Sequence, residues 1–160
     1  IGYYMLRCVV QKAVNHAVHG AIQDEEYVIV APTMRFFYWR VAAASKTHYY
    51  VGRAYRRSVN IYDKFEIVPL PRTPHVHAAM QDKNLQSFVS FSPLYRWEIA
   101  ELPSGLTEVR LIDLRYRSNN RYPFVAVAHV NDNLEVVNSY TGWIFSEDKL
   151  QQKLQIGASD

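Results

Sequence analysis

Cysteine is almost absent from this chain, and the single Cys8 excludes an internal disulfide. One thiol also supplies no zinc-type ligand spacing. Cys8 reads instead as a small apolar residue in a helix, with no assignable base beside it. Glycine is sparse too, with 6 residues spread widely, so no glycine-rich phosphate loop is present. No GxSxG nucleophile signature occurs. Nothing approaches the uninterrupted apolar run of ~20 residues that crosses a bilayer. Residues 1–22 lack the basic start and clean apolar run of a signal peptide. There is no low-complexity tract and no linker long enough to divide the chain. We therefore expect residues 1–160 to form a single soluble domain. The first residue is Ile rather than Met, which suggests a processed product or a piece cut from something longer.

What is present is a folding composition: 49% hydrophobic against 21% charged, enough to build a core. Aromatics are abundant, with 12 Tyr, 7 Phe and 3 Trp, which favours strands and half-buried faces or the lining of a groove. The net charge of +3 is uneven. Residues 1–60 hold eight Lys and Arg against Asp24, Glu25 and Glu26, giving +5, and the remainder sums to −2. A basic first half suits phosphates or an anionic lipid surface, and equally an ordinary solvated face.

The opening reads as a helix. Arg7, Gln11, Asn15 and His19 recur every four residues beside Lys12 and His16, and Val10, Val14 and Val18 belong to a wide apolar face. Asp24 to Glu26 oppose the dipole at its C-terminus, which puts its end near Gln23. The period then changes to two. Strands are expected over Tyr27–Ala31, Phe36–Ala44, Thr47–Arg56 and Phe65–Val68. Thr73 and Pro74 form a helix start, with helices to about Lys83 and over Leu85–Phe91. Further strands follow over Tyr95–Leu102, Thr107–Tyr116, Phe124–Asn131 and Leu134–Val137, and a last helical stretch over Glu147–Leu154. Connections this short favour antiparallel pairing, because parallel strands need long crossovers. The expected fold class is α+β: one mostly antiparallel sheet of six to eight strands, with an N-terminal helix and a central helical connection over one face. The other face, if open to solvent, accommodates the tyrosines.

Candidate chemistry is thin, and no catalytic residue is assigned. His16 and His19 share a helix face at a spacing that can hold zinc, but the glutamate of an HExxH motif is missing, and a polar stripe explains them. His75 and His77 flank Val76 and point about 200° apart in a helix, unsuited to sharing a metal. His129 lies in an apolar strand, half-buried or facing solvent. Glu98 and Glu101 serve acid–base chemistry only if the fold brings partners near. Arg53 to Arg57 and Asp113 to Arg117 mix arginine with tyrosine. That mixture can bind nucleic acid, a partner we do not favour here, or can be solvated arginines paired across a sheet. Asp113 also fits a partly buried carboxylate orienting arginines through bidentate bonds.

Three stretches together carry a resemblance. They are Ala31–Pro32–Thr33 through Phe37–Tyr38–Trp39–Arg40–Val41; His48–Tyr49–Tyr50–Val51–Gly52; and Ile112–Asp113–Leu114–Arg115–Tyr116 with Tyr122–Pro123–Phe124. Over about residues 27–130 the chain resembles the soluble C-terminal region of the YfhP/YdjM-like membrane-bound proteins, a family of predicted metal-dependent hydrolases. Tyr122 stands where that pattern more usually has Phe. The resemblance implies that Trp39, Tyr50, Gly52, Asp113 and Arg115 have structural or interfacial roles. It places any divalent metal in a membrane-embedded N-terminal part, so no cofactor is expected in this segment. It also makes that N-terminal part the main partner, with the first helix following the last membrane span. The function implied is an accessory or regulatory domain of a membrane-associated protein. The competing expectation is a free-standing small-molecule binding or hydrolytic domain with an aromatic cleft, in which His, Asp and Arg side chains converge.

Overall fold

The computed structural model describes residues 2–22, 25–33 and 38–157. The chain divides into two compact units, residues 1–67 and 68–160. The fold is α+β with antiparallel strands, an N-terminal helix and a central helical region. The strands do not form one sheet, as the sequence led us to expect. They form two four-stranded meanders.

The first unit opens with helix α1 (Gly2–Ala21) and continues into strands β1 (Glu25–Pro32), β2 (Tyr38–Ser45), β3 (His48–Tyr55) and β4 (Ser58–Glu66). The expected helix end at Gln23 and strand start at Phe36 lie outside the described residues. Val14 and Val18 of α1, with Ile22 just past its end, pack on Trp39, Val41, Ala43 and Ala54, making the core of this unit. His16, His19 and Lys12 stay exposed on the other side of the helix, as does Cys8. The β2–β3 hairpin is tightened by Ser45, whose Oγ accepts from the backbone N–H of Thr47 and of His48. Pro32 is tolerated because β1 is an edge strand.

β4 covers Ser58–Glu66, whereas the sequence suggested only Phe65–Val68. The reason is a bulge. The register slips between Val51 and Gly52, so Tyr62 is an extra residue, and Asp63 and Phe65 turn to the sheet face opposite that of Val59 and Ile61. Val59 and Ile61 face the α1 core before the slip. Pro69 and Pro71 then end the sheet, since neither can donate to a further ladder.

The second unit begins with α2 (Pro74–Met80) and α3 (Lys83–Phe91). Thr73 caps α2 by accepting from Val76 N–H at 3.3 Å, and Asp82 caps α3 by accepting from Asn84 N–H at 2.8 Å. Strands β5 (Tyr95–Glu101), β6 (Thr107–Asp113), β7 (Phe124–Val130) and β8 (Val136–Trp143) follow, then α4 (Glu147–Gly157). Asn138 and Ser139 look like turn residues in sequence, yet they pair with His129 and Ala128 inside β8. That is why the strand runs well past Val137.

Helices cover both faces of this sheet, another departure from the expected single covered face. Val76, Ala79, Leu85 and Phe88 pack on Val109, Leu111, Ala126 and Ala128. Leu150 and Leu154 of α4 pack on Ile112, Val125 and Val127. A strand buried on both sides loses its alternation and reads as a continuous apolar run. β7, Phe-Val-Ala-Val-Ala-His-Val, is such a run.

Candidate functional site

Four elements of the second unit end at one place. Asp113 closes β6, Phe91 closes α3, Phe124 opens β7 and Trp143 closes β8. Asp113 is fully buried. Its carboxylate accepts from the Arg115 backbone N–H at 2.8 Å, from Arg115 Nε at 3.1 Å and from Arg115 Nη2 at 2.7 Å. Ser92 Oγ donates at 2.5 Å to Oδ2, the same oxygen that accepts from Arg115 Nη2. A bidentate carboxylate fixes both the position and the plane of a guanidinium. The Arg115 guanidinium lies 4.6 Å from the centre of the Phe91 ring and 5.0 Å from that of Tyr116.

Aromatic rings continue from there. Tyr116 meets Trp143 edge-on at 4.9 Å, Phe124 lies 5.2 Å from Trp143, and Phe145 stacks on Trp143 at 6.3 Å. Phe124 in turn stacks on Phe88 of the core at 5.7 Å, so the ledge is anchored. Its outer members are exposed: Phe91 by 53%, Trp143 by 48% and Phe145 by 58%. Large rings left in water at a rigid site mark a contact surface more often than a folding requirement. Asp113, Arg115 and Tyr116 of one sequence stretch and Phe124 of the other thus meet at one ledge, while Tyr122 packs with the α4-side core. Trp143 and Phe145 escaped the sequence reading because the last strand was taken to end at Val137.

The other singled-out residues serve the first unit. Trp39 is buried in its core, and its Nε1 has no hydrogen-bond partner among the described residues. Tyr50 packs beside that core, with Lys64 Nζ 5.6 Å from its ring centre. Gly52 sits at the bulge, where a Cβ would lie 2.3 Å from the Asn60 carbonyl oxygen. The histidines are dispersed. His19 contacts Glu25, His16 is exposed on α1, and His75 and His77 both lie on α2. Among the described residues no three His, Cys, Asp or Glu side chains are grouped as a metal site would need. Two open hollows flank α2, with volumes of about 490 and 560 Å³. His77 borders both and Asp82 borders the second, but Asp113 and Arg115 line neither.

A second polar group lies on the α4 side of the sheet. His129 Nε2 is 2.8 Å from Glu108 Oε2, both buried. Arg110 Nη2 is 2.9 Å from Glu108 Oε1 and 2.9 Å from Glu147 Oε1, tying the strand to the first turn of α4. The His129 hydrogen bond, helped by Arg110, holds the Glu108 carboxyl below the usual glutamate range although burial pushes it up. Glu108 and Glu147 raise the Arg110 guanidinium above its ordinary value against the opposing effect of burial. Glu108 and His129 are 21 positions apart, so only strand register could have paired them.

Comparison with known families follows the same division of the chain. The YfhP middle domain matches residues 23–65, and the YfhP C-terminal alpha/beta plait domain matches residues 74–154. The chain belongs to the YfhP family. It is 48% identical over 159 residues to the uncharacterised protein YfhP of Bacillus subtilis (strain 168). That alignment takes in 99% of this chain and 48% of the relative, so the chain spans about half the length of the relative. No solved structure matches. In this YfhP-family chain the clamped arginine and the aromatic ledge both fall within the C-terminal domain match. Trp39, Tyr50 and Gly52 fall within the middle one.

Proposed function

We propose that this chain is a non-catalytic accessory region of a larger YfhP-family protein, and that its aromatic ledge docks against the remainder of that protein. In this reading the remainder is the membrane-embedded part and carries a metal-dependent hydrolase activity. The observation that carries the reading is the ledge itself: Phe91, Trp143 and Phe145 exposed together around an arginine that Asp113 holds in place. The share of the relative left unmatched supplies a second body for it to contact. No helix among the described residues is long and apolar enough to cross a membrane, so in this reading the spanning segments belong to that second body. A free-standing small-molecule domain would instead gather His, Asp and Arg in one cleft, and the hollows beside α2 do not draw Asp113 or Arg115.

The test is to produce the full-length protein as two co-expressed pieces, this chain and the remainder. The pieces are expected to co-purify from membranes. The double variant W143S/F145S is expected to weaken that association about tenfold or more, since exposed aromatic anchors dominate such contacts. Unchanged association in a folded W143S/F145S chain would remove the ledge from the interface. Recovery of intact protein wholly in the soluble fraction, with no spanning segment upstream, would remove the membrane part of the proposal.

A further inference from the structure

The first unit concentrates one sign of charge. Between Glu26 and Asp63 the chain has Arg35, Arg40, Lys46, Arg53, Arg56 and Arg57, and neither Asp nor Glu. Side chains alternate across a sheet. Trp39, Val41, Ala43 and Ala54 face the α1 core, so Tyr38, Arg40, Arg53 and Tyr55 project from the opposite face. Register sets Arg40 directly across from Arg53, and Tyr38 across from Tyr55. Both arginines are exposed on the same sheet face. Arg56 and Arg57 form the β3–β4 turn at the same end, Arg56 with φ 55°.

The tyrosines shape what this surface can recognise. Tyr38 and Tyr55 stack on each other at 4.7 Å. The Arg53 guanidinium lies 4.7 Å from the Tyr38 ring centre and 6.0 Å from that of Tyr62, and Arg56 lies 5.3 Å from that of Tyr55. Stacking of nucleic-acid bases needs ring faces that are open. Here the faces of Tyr38 and Tyr55 are engaged by one another and by guanidinium groups. What remains is charge and guanidinium hydrogen bonding to phosphate, with tyrosine hydroxyls among the cations. That combination suits the headgroup layer of an anionic bilayer, where tyrosine and arginine both partition.

We propose that the Arg40–Arg53–Arg56–Arg57 face of the first unit docks on an anionic lipid surface. The inference rests on the first unit alone. A failure of the ledge experiment leaves it standing, and its own failure leaves the ledge standing.

The intact chain is sedimented with phosphatidylcholine vesicles and with vesicles that also contain phosphatidylglycerol. Binding is expected only with phosphatidylglycerol, and is expected to weaken as salt rises. The variant R40Q/R53Q should lower partitioning about twenty-five-fold, since each arginine near such a surface contributes about a fivefold factor. R56Q/R57Q, confined to an exposed turn, should act similarly and decides the matter if R40Q/R53Q does not fold. K149Q/K153Q, on α4 of the other unit, should leave partitioning unchanged. The proposal is overturned by equal binding to both vesicle types or by unchanged binding in a folded arginine variant. Tighter binding to a single-stranded or duplex oligonucleotide at the same salt also overturns it.

Discussion

At Gly52 the missing side chain is a steric necessity. A Cβ there would sit 2.3 Å from Asn60 O and 3.0 Å from Ile61 Cα, and both are backbone atoms of a paired strand. Gly52→Ala is therefore expected to lower stability by about 1–3 kcal/mol, the usual range for overpacking, measured by urea denaturation. Gly20 offers the contrast, with nothing within 4 Å and a helical position. Gly20→Ala should be neutral or stabilise by up to about 1 kcal/mol. A G52A protein as stable as G20A would refute the close-approach account. Asp113 presents the opposite case, a buried charge whose partners fill its bonding capacity. Asp113→Ala leaves the Arg115 guanidinium half-buried without its carboxylate, and should cost about 3–5 kcal/mol. The aspartate–arginine pairing was readable in sequence because the two residues are two positions apart. Ser92, 21 positions away, was not.

Element boundaries failed where tertiary pairing outweighed local pattern. Most of β4 was missed because its bulge turns Asp63 and Phe65, across from Val51 and Tyr49, to the face opposite that of Val59 and Ile61. β8 was cut short because Asn138 and Ser139 have turn chemistry, and the β7 ladder held them extended regardless. The thin apolar stripe of α4 gains its stability from two residues, Leu150 and Leu154, both essentially fully buried. Leu154→Ala should cost about 2–5 kcal/mol, with loss of helical signal at 222 nm localised to α4 by hydrogen exchange. The pairing of Glu108 with His129 and Arg110 also gives this region a pH dependence. Glu108 has a folded-state pKa below its unfolded value, so its contribution is present above the ordinary glutamate range. It is lost as pH falls through the lower folded-state value. A comparison of stability at neutral and acidic pH should show a smaller acid loss in Glu108→Gln than in the parent chain. An identical acid profile in the two proteins would count against this pairing.

At the scale of the whole molecule, the two units carry separate cores, one around Val14, Val18 and Trp39 and others around Phe88 and Leu150. Residues 68–157 should accordingly fold alone, with a dispersed amide spectrum and a cooperative melt. A molten spectrum from that fragment would show that its cores are insufficient. Length and the absence of a long linker had suggested one body, since Ile67 to Arg72 is too short to look like a boundary. The prolines there matter by ending the strand rather than by spacing two domains. Local sequence determined what short-range physics controls: helix and strand periods, the Thr73 and Pro74 helix start, antiparallel connection, and the Asp113–Arg115 clamp. The tertiary structure alone decided the division into two sheets, the covering of the second sheet on both faces, the Glu108–His129 pair and the closing of the aromatic ledge. Each of those depends on register between residues distant in the chain, and register is set by the summed burial of whole faces, which no local window contains.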